Sequence, residues 1–331
     1  MPSSTSHSEP RVPWRALMLI AVALATWGVS AFYTLRLNPQ IVFFRHAHEL
    51  KQAWARQLDA TRTNKIVFCG DSSCATSVDA QRLLAQDGLP AVNFGMSADI
   101  GSKVLLAYAQ KYLRPGDTLI VTMDPGLFAV PPRNESVGAQ FSFAVGEPSF
   151  LRNTNGMDWV TALADLRPGG YHAFTLIGKI ALRQPLYRYG LTELHPGGWQ
   201  EDELHRPIYA WPGAWPELNP AMRQHLAVIR DACQARHIRM AYTLPWVYCP
   251  PELVALRRQT GAQFLLEVSE VIPVLKDPTL GIKTNLADFA DTPFHPTPAV
   301  AAQRTDALAQ FISMWQTWSR AELEAIARPR P

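Results

Sequence analysis

Short apolar runs alternate with helical patterns along most of this 331-residue chain. The clearest run, Lys65–Cys69 (KIVFC), ends at a glycine and is typical of a strand buried on both faces. Further strands are predicted at Ala91–Phe94, Asp117–Met123, Ile238–Leu244 and Val271–Leu275. Helices are predicted near Val78–Gln86, Lys103–Leu113, Met157–Leu166, Tyr171–Leu182, Pro220–Arg236, Glu252–Val268 and Pro298–Ala327. Strands alternating with helices predict an α/β fold with a doubly wound, mainly parallel five-stranded sheet.

An uncharged run, Ala16–Leu35, lies near the N-terminus between Arg15 and Arg36. A helix of that length spans about 30 Å, the thickness of the hydrocarbon core of a bilayer. The run therefore predicts one transmembrane helix. The small residues of Val29–Ala31 also fit a signal-peptidase site, so a cleaved signal peptide remains the alternative.

The anchor divides the chain into four predicted parts. Residues 1–15 form a short cytoplasmic tail, 16–35 the anchor, 36–64 a juxtamembrane helix or linker, and 65–327 the main domain. Arginines before the anchor favour a cytoplasmic N-terminus, which predicts a single-pass inner-membrane (cytoplasmic-membrane) protein with its domain in the periplasm or outside. The amphipathic pattern over 41–60 fits either packing on the domain or contact with the membrane. Residues 131–218 are rich in Pro, Gly and Trp and predict an irregular insertion.

The composition excludes several classes of protein. With 47% hydrophobic residues, 18% charged residues and a net charge of +3, the chain is unlike a disordered protein. Its basic residues are interspersed with acidic ones, so we expect no nucleic-acid partner. It contains no Cys-x-x-Cys pair, phosphate-binding glycine loop or dinucleotide fingerprint, so we expect no metal and no other cofactor.

Polar residues that could take part in catalysis follow two of the predicted strands. The first strand ends in Gly70-Asp71-Ser72-Ser73, and the second ends in Asn93-Phe94-Gly95. The carboxyl ends of parallel strands meet at one sheet edge, where such folds place their sites. Taken singly, these segments also fit a helix N-cap and a tight turn.

A histidine, His295, lies in the loop before the last predicted helix, with Asp291 four and Asp288 seven residues earlier. A histidine with a nearby carboxylate suits a general base and its orienting acid. On its own, a loop histidine also fits a solvated or capping residue.

Together, the three segments resemble the SGNH (GDSL-type) hydrolase superfamily. The resemblance implies a flavodoxin-like fold in which Ser72 is the nucleophile and His295 is the general base. It also implies an oxyanion hole formed by the Gly95 and Ser72 amides. Asp291 is the preferred acid partner of His295, with Asp288 in reserve, although the family spaces its Asp and His three residues apart.

The third sequence block of that family is missing. Where the family has Gly-x-Asn-Asp, this chain has Asp124-Pro125-Gly126 after the third strand. An ionised Asp124 would repel an oxyanion, and loss of one oxyanion donor costs about 3 kcal/mol of transition-state stabilisation. Asn134 is a candidate substitute donor, while Asp71 and Asp124 are candidate substrate-binding residues at the same edge.

The degenerate third block and the anchor are similar to a branch that includes alginate O-acetylation accessory proteins. This similarity implies a membrane-anchored serine esterase or O-acyltransferase that acts on acyl esters of an envelope glycan or exopolysaccharide through an acyl-serine intermediate. A membrane-bound O-acyltransferase is then an expected partner. The alternative is a catalytically inactive SGNH-like protein that binds an envelope polysaccharide or assembles an acylation complex.

Two further features have open interpretations. Of the four cysteines, Cys69 fits a buried strand, and either Cys74 or Cys233 could form a disulfide with Cys249. The aromatic stretch His195–Trp215 could provide platforms for a sugar or acyl chain, or its rings could simply pack within the insertion.

Overall fold

The computed structural model describes residues 14–61, 64–151, 158–167, 170–202 and 213–328. Its main sheet has four parallel strands in the order β2-β1-β3-β4. These are β1 (Ile66–Cys69), β2 (Ala91–Asn93), β3 (Thr118–Val121) and β4 (Arg239–Tyr242). In register, Ile66 pairs with Ala91 on one side and Thr118 on the other. The predicted α/β class, the parallel sheet and four of the predicted strands are confirmed.

The predicted fifth strand, Val271–Leu275, forms only a single parallel bridge between Tyr242 and Val274. The Tyr242 N–H donates to Pro273 O, and the Leu275 N–H donates to Tyr242 O. Since Pro273 has no N–H, the ladder does not extend along this segment. Two short strands, β5 (Val247–Tyr248) and β6 (Ile282–Lys283), instead form a separate parallel pair.

The described residues form twelve α-helices. They are α1 (Trp14–Arg36), α2 (Pro39–Thr61), α3 (Ser72–Ser77), α4 (Ala80–Asp87), α5 (Ser102–Lys111), α6 (Ser136–Ala144), α7 (Asp158–Ala164), α8 (Gly170–Ala181), α9 (Pro220–Gln234), α10 (Val254–Ser269), α11 (Pro298–Met314) and α12 (Arg320–Ala327). The single C-terminal helix predicted at Pro298–Ala327 is therefore wrong. The chain turns at Trp315, whose φ is 45°, and then pairs Thr317 with Leu275 before α12 begins.

Helices cover both faces of the sheet, as the continuous apolar strands require. Val67 and Cys69 of β1 lie in the core formed with α2, α5, α9 and α10. Ile66 and Phe68 point to the opposite face and pack with α3, α4 and α11. The alternation of β1 side chains thus divides the hydrophobic core into two layers.

The two N-terminal helices differ in their surroundings. In the described chain, α1 is the one helix long and apolar enough to serve as a membrane anchor or a signal sequence. Its most apolar window has a mean hydropathy of 1.9, and only Ala31 and Thr34 are buried. In contrast, α2 packs on the domain and buries Ile41 and Phe44 in the core. Of the two interpretations of the 41–60 pattern, the structure shows packing on the domain.

The described part of the insertion holds three α-helices, of which α6 was not expected from sequence. Two aromatic residues of the predicted platform are packed: the Trp199 indole donates to Thr76 O at 2.8 Å, and Trp215 is buried against the Arg257 guanidinium. Tyr209 and Trp211 lie outside the described residues.

All four cysteines are buried free thiols, so neither candidate disulfide is formed.

Candidate active site

The turn after β1 presents Ser72 at the start of α3. A Cβ at Gly70 would lie 1.9 Å from Thr122 O, so only glycine allows β1 and β3 to approach so closely here. Asp71 is the N-cap, and its Oδ1 accepts hydrogen bonds from the Ser73 N–H at 3.0 Å and the Ser73 hydroxyl at 2.5 Å. These bonds hold the turn in place, and the half-buried Ser72 faces the cavity described below.

The loop after β2 is fixed to α3 by the buried side chain of Asn93. Its amide group donates to Cys74 O and Val78 O, and its Oδ1 accepts from the Gly95 N–H at 2.8 Å. A Cβ at Gly95 would lie 2.4 Å from Ala75 N, so the glycine is required for this close packing. The Gly95 amide, predicted as an oxyanion donor, therefore already has an acceptor within its own loop.

A buried lysine from α2 supports the same loop. Lys51 Nζ donates to the carbonyl oxygens of Asn93 (2.9 Å), Gly95 (2.5 Å) and Gly198 (2.9 Å). Three carbonyl acceptors match the three N–H donors of an ammonium group. Lys51 thus joins α2, the loop after β2 and the insertion at the edge of the site.

The loop before α11 places His295 between two buried carboxylates. His295 Nδ1 lies 2.8 Å from Asp291 Oδ1 and 3.1 Å from Asp202 Oδ2, and Tyr189 Oη lies 3.3 Å away. The other oxygen of Asp291 pairs with the guanidinium of Arg188. Asp291 and Asp202 therefore hold the imidazole with Nδ1 turned toward them.

Of the two candidate partners for His295, the structure places Asp291 there and not Asp288. The Asp288 carboxylate instead accepts a hydrogen bond from Asn285. Asn134, the candidate substitute oxyanion donor, donates to Leu151 O and does not line the cavity.

Asp124 follows β3 and forms a pair with Asp71. The Asp124 backbone N–H donates to Asp71 Oδ2 at 3.1 Å, and the Asp124 Oδ1 accepts from the Gly126 N–H at 2.8 Å. Burial, followed by repulsion from the Asp71 carboxylate, raises the pKa of Asp124 to about 7. Burial also raises the pKa of Asp71, but three accepted hydrogen bonds stabilise its ionised form. The accepted hydrogen bonds thus favour the ionised form of Asp71, and the raised pKa of Asp124 makes its protonated form accessible near neutral pH.

One cavity of about 570 Å³ joins these elements. Six site residues predicted from sequence line it: Asp71, Ser72, Gly95, Asp124, Asp291 and His295. Its apolar wall comes from α2 and from the segment after α8, through Phe43, Phe44 and Tyr187. The roles assigned to the six residues stay predictions, but their placement around one cavity is a structural fact.

Sequence reasoning missed Asp202, Arg188 and Lys51. Asp202 precedes His295 by 93 residues and comes from the irregular insertion, and Lys51 comes from a helix treated as a linker. No spacing signal connects these residues to the three sequence blocks.

Asp202, Asp291 and His295 also form a cluster whose ligand atoms lie within 4.8 Å of one another. Such a set could hold a cation by distance alone. The Arg188 guanidinium, however, already neutralises Asp291 at that point. We therefore interpret the cluster as a histidine with two orienting acids.

Comparison with protein-family models, with curated proteins and with solved structures finds no match to this chain.

Proposed function

We propose that this protein is a membrane-anchored, SGNH-like serine esterase or O-acyltransferase. The observation that carries the proposal is that Ser72 and the Asp291–His295 pair line the same cavity, although more than two hundred residues separate them. Nucleophile, base and orienting acid are the groups that acyl transfer through serine requires.

In the proposed reaction, Ser72 Oγ attacks the carbonyl carbon of an ester while His295 takes the hydroxyl proton. Because Nδ1 faces the two carboxylates, Nε2 is the nitrogen that accepts this proton. The tetrahedral intermediate then expels the alcohol, which receives the proton from His295, and an acyl-serine remains. Water or a glycan hydroxyl attacks the acyl-serine, its proton passes through His295 to Ser72, and the free serine is restored.

The oxyanion is proposed to bind the Ser72 amide and the protonated carboxyl of Asp124. Asp124 follows β3, the strand after which the family places its asparagine, and it lines the cavity. Oδ1 of Asp124 accepts the Gly126 N–H, and the proposal places the carboxyl proton on Oδ2. A neutral carboxylic acid donates a hydrogen bond there, as the missing asparagine would.

The finer assignments rest on the sequence resemblance and, for the membrane orientation, on the arginines before the anchor. They comprise a flavodoxin-like fold, completed as a five-stranded sheet through the Val274 bridge, and an inner-membrane location with the domain outside. The proposed substrate is an acyl ester of an envelope glycan or exopolysaccharide, with a membrane-bound O-acyltransferase as partner. The apolar wall of Phe43, Phe44 and Tyr187 supports binding of the acyl portion.

A fluorophosphonate probe tests the nucleophile on the full-length protein in detergent or nanodiscs. We expect covalent labelling of the wild type, loss of labelling in Ser72→Ala, and retention in Ser97→Ala. Ser97 is the matched control because it lines the same cavity but only caps a short turn. Labelling that persists in Ser72→Ala would assign the reaction to another residue.

A second candidate is a non-catalytic binding or assembly protein with the same fold. The missing third-block asparagine and the internal hydrogen bond of the Gly95 amide favour it, since both remove expected oxyanion donors. This candidate predicts that well-folded wild-type protein binds an acetylated polysaccharide but is not labelled by a fluorophosphonate. That combination would favour a binding protein over the proposed enzyme.

A further inference from the structure

The helices of the insertion expose large apolar side chains. On α8, Phe174 is 78% exposed and Ile177 is 63% exposed, and Ile180 is exposed on the next turn. On α7, Val160 is 72% exposed. Soluble domains rarely leave such residues grouped on neighbouring elements without a function.

This apolar surface is continuous with α1. The Trp27 indole of α1 donates a hydrogen bond to Leu163 O of α7 at 3.0 Å. Trp27 lies nine residues before Arg36, which is about 14 Å along a helix. The contact therefore places α7 beside the domain-side half of α1, so α7 reaches the leaflet that adjoins the domain if α1 spans a bilayer.

The charges of α8 and the residues that flank it suit a lipid surface, whereas α7 begins at Asp158 and is followed by Asp165. Residues 166–187 carry Arg167, Lys179 and Arg183, and they include no Asp or Glu. A helix with an apolar face and basic flanking residues lies in the interface of a bilayer that contains anionic lipids.

We propose that α7 and α8 are interfacial membrane helices that insert, beside α1, into the leaflet adjoining the domain. Their partner is the lipid of the bilayer itself. The inference is independent of the proposed acyl chemistry, because it depends only on α1, α7 and α8.

Membrane contact of α8 also determines where the cavity lies. The chain runs from α8 directly to Tyr187, Arg188 and Tyr189, which line the cavity. The cavity therefore lies close to the membrane surface. An acyl group carried by a lipid, or delivered by a membrane enzyme, would arrive there.

Single introduced cysteines carrying an environment-sensitive fluorophore test the proposal. The full-length protein is reconstituted into nanodiscs that contain phosphatidylglycerol, with or without doxyl-labelled lipids. The four native thiols are buried, so the label reports the introduced site. The test sites are Phe174→Cys and Ile177→Cys, and the control is Met314→Cys at the end of α11. Met314 is 56% exposed and belongs to a helix on the sheet face opposite α2.

We expect blue-shifted emission and strong quenching by doxyl lipids at positions 174 and 177, and neither effect at 314. Labels at 174 and 177 that behave like the label at 314 would overturn the proposal. That result would also be expected if another protein, and not lipid, covers this face in the cell. Repeating the measurement in Ser72→Ala separates the two proposals, since membrane contact persists there whether or not Ser72 is a nucleophile.

Discussion

At the residue scale, the proposed chemistry depends on protons held by buried groups. His295 is 4% exposed and Asp202 is 2% exposed, so their hydrogen bonds are formed away from bulk water. Low local polarity strengthens these bonds and makes an unpaired charge costly. Burial, followed by repulsion from Asp71, also raises the pKa of Asp124 to about 7, and the proposed role of Asp124 as an oxyanion donor depends on this shift.

The first prediction concerns the pH dependence of Asp124. Its raised pKa means that the carboxyl is protonated below about pH 7 and ionised above it, so its donor function is lost as the pH rises. The rate of fluorophosphonate labelling of the wild type should therefore fall above neutral pH. In Asp124→Asn, which keeps a donor at every pH, the alkaline fall should disappear. Asp124→Ala should label about 100-fold more slowly below pH 7.

Asp99→Asn is the control, because Asp99 is an exposed carboxylate lining the same cavity. If wild type and Asp124→Asn show the same pH profile, Asp124 is not an oxyanion donor.

The second prediction concerns the two acids of His295. Asp291 and Asp202 both reach Nδ1, so each can hold the imidazole when the other is neutralised. Asp291→Asn and Asp202→Asn should each slow labelling by much less than the double variant, which should approach a loss of about 10⁴-fold. Asp288→Asn, in the same loop, should label like the wild type. A double variant no slower than Asp291→Asn alone would show that Asp202 does not share the role.

At the scale of secondary-structure elements, α2 is part of the domain and forms one wall of the cavity. The amphipathic pattern over 41–60 predicted the helix but left its partner open. Lysine is rarely fully buried, so no sequence rule indicates that Lys51 points inward. Its three carbonyl acceptors come from two separate segments, and only their packing creates that binding site.

The third prediction concerns this lysine. Lys51→Met should lower the free energy of unfolding by about 3 kcal/mol, because three buried carbonyl groups lose their donor. Thermal melts of the detergent-solubilised protein measure the effect. Arg56→Met on the exposed side of α2 is the matched control and should melt close to the wild type. A Lys51→Met protein as stable as this control would contradict the role.

At the scale of the whole molecule, the proposed location outside the cytoplasm would favour disulfides among the four cysteines. The fold instead distributes Cys69, Cys74, Cys233 and Cys249 as separate buried thiols. Burial raises the pKa of Cys74 and Cys233, which lowers the fraction of reactive thiolate.

The fourth prediction follows from these thiols. Protein purified without reductant should take up four alkyl groups per chain when it is unfolded in the presence of iodoacetamide, and none while folded. Mass spectrometry counts the groups. Unfolded protein that takes up only two would indicate a disulfide and a different packing around Cys249.

The sequence by itself determined the α/β class, the four parallel strands and the apolar N-terminal helix, because these follow from local periodicity and apolar length. It also placed Ser72 and Gly95 at one edge, since the carboxyl ends of parallel strands meet there, and the family resemblance implied that His295 joins them. Only the tertiary structure brought Asp202 and Lys51 to the site, divided the last helix at Trp315 and raised the pKa of Asp124. Those features depend on contacts between distant segments and on burial, and neither quantity is encoded in local sequence pattern.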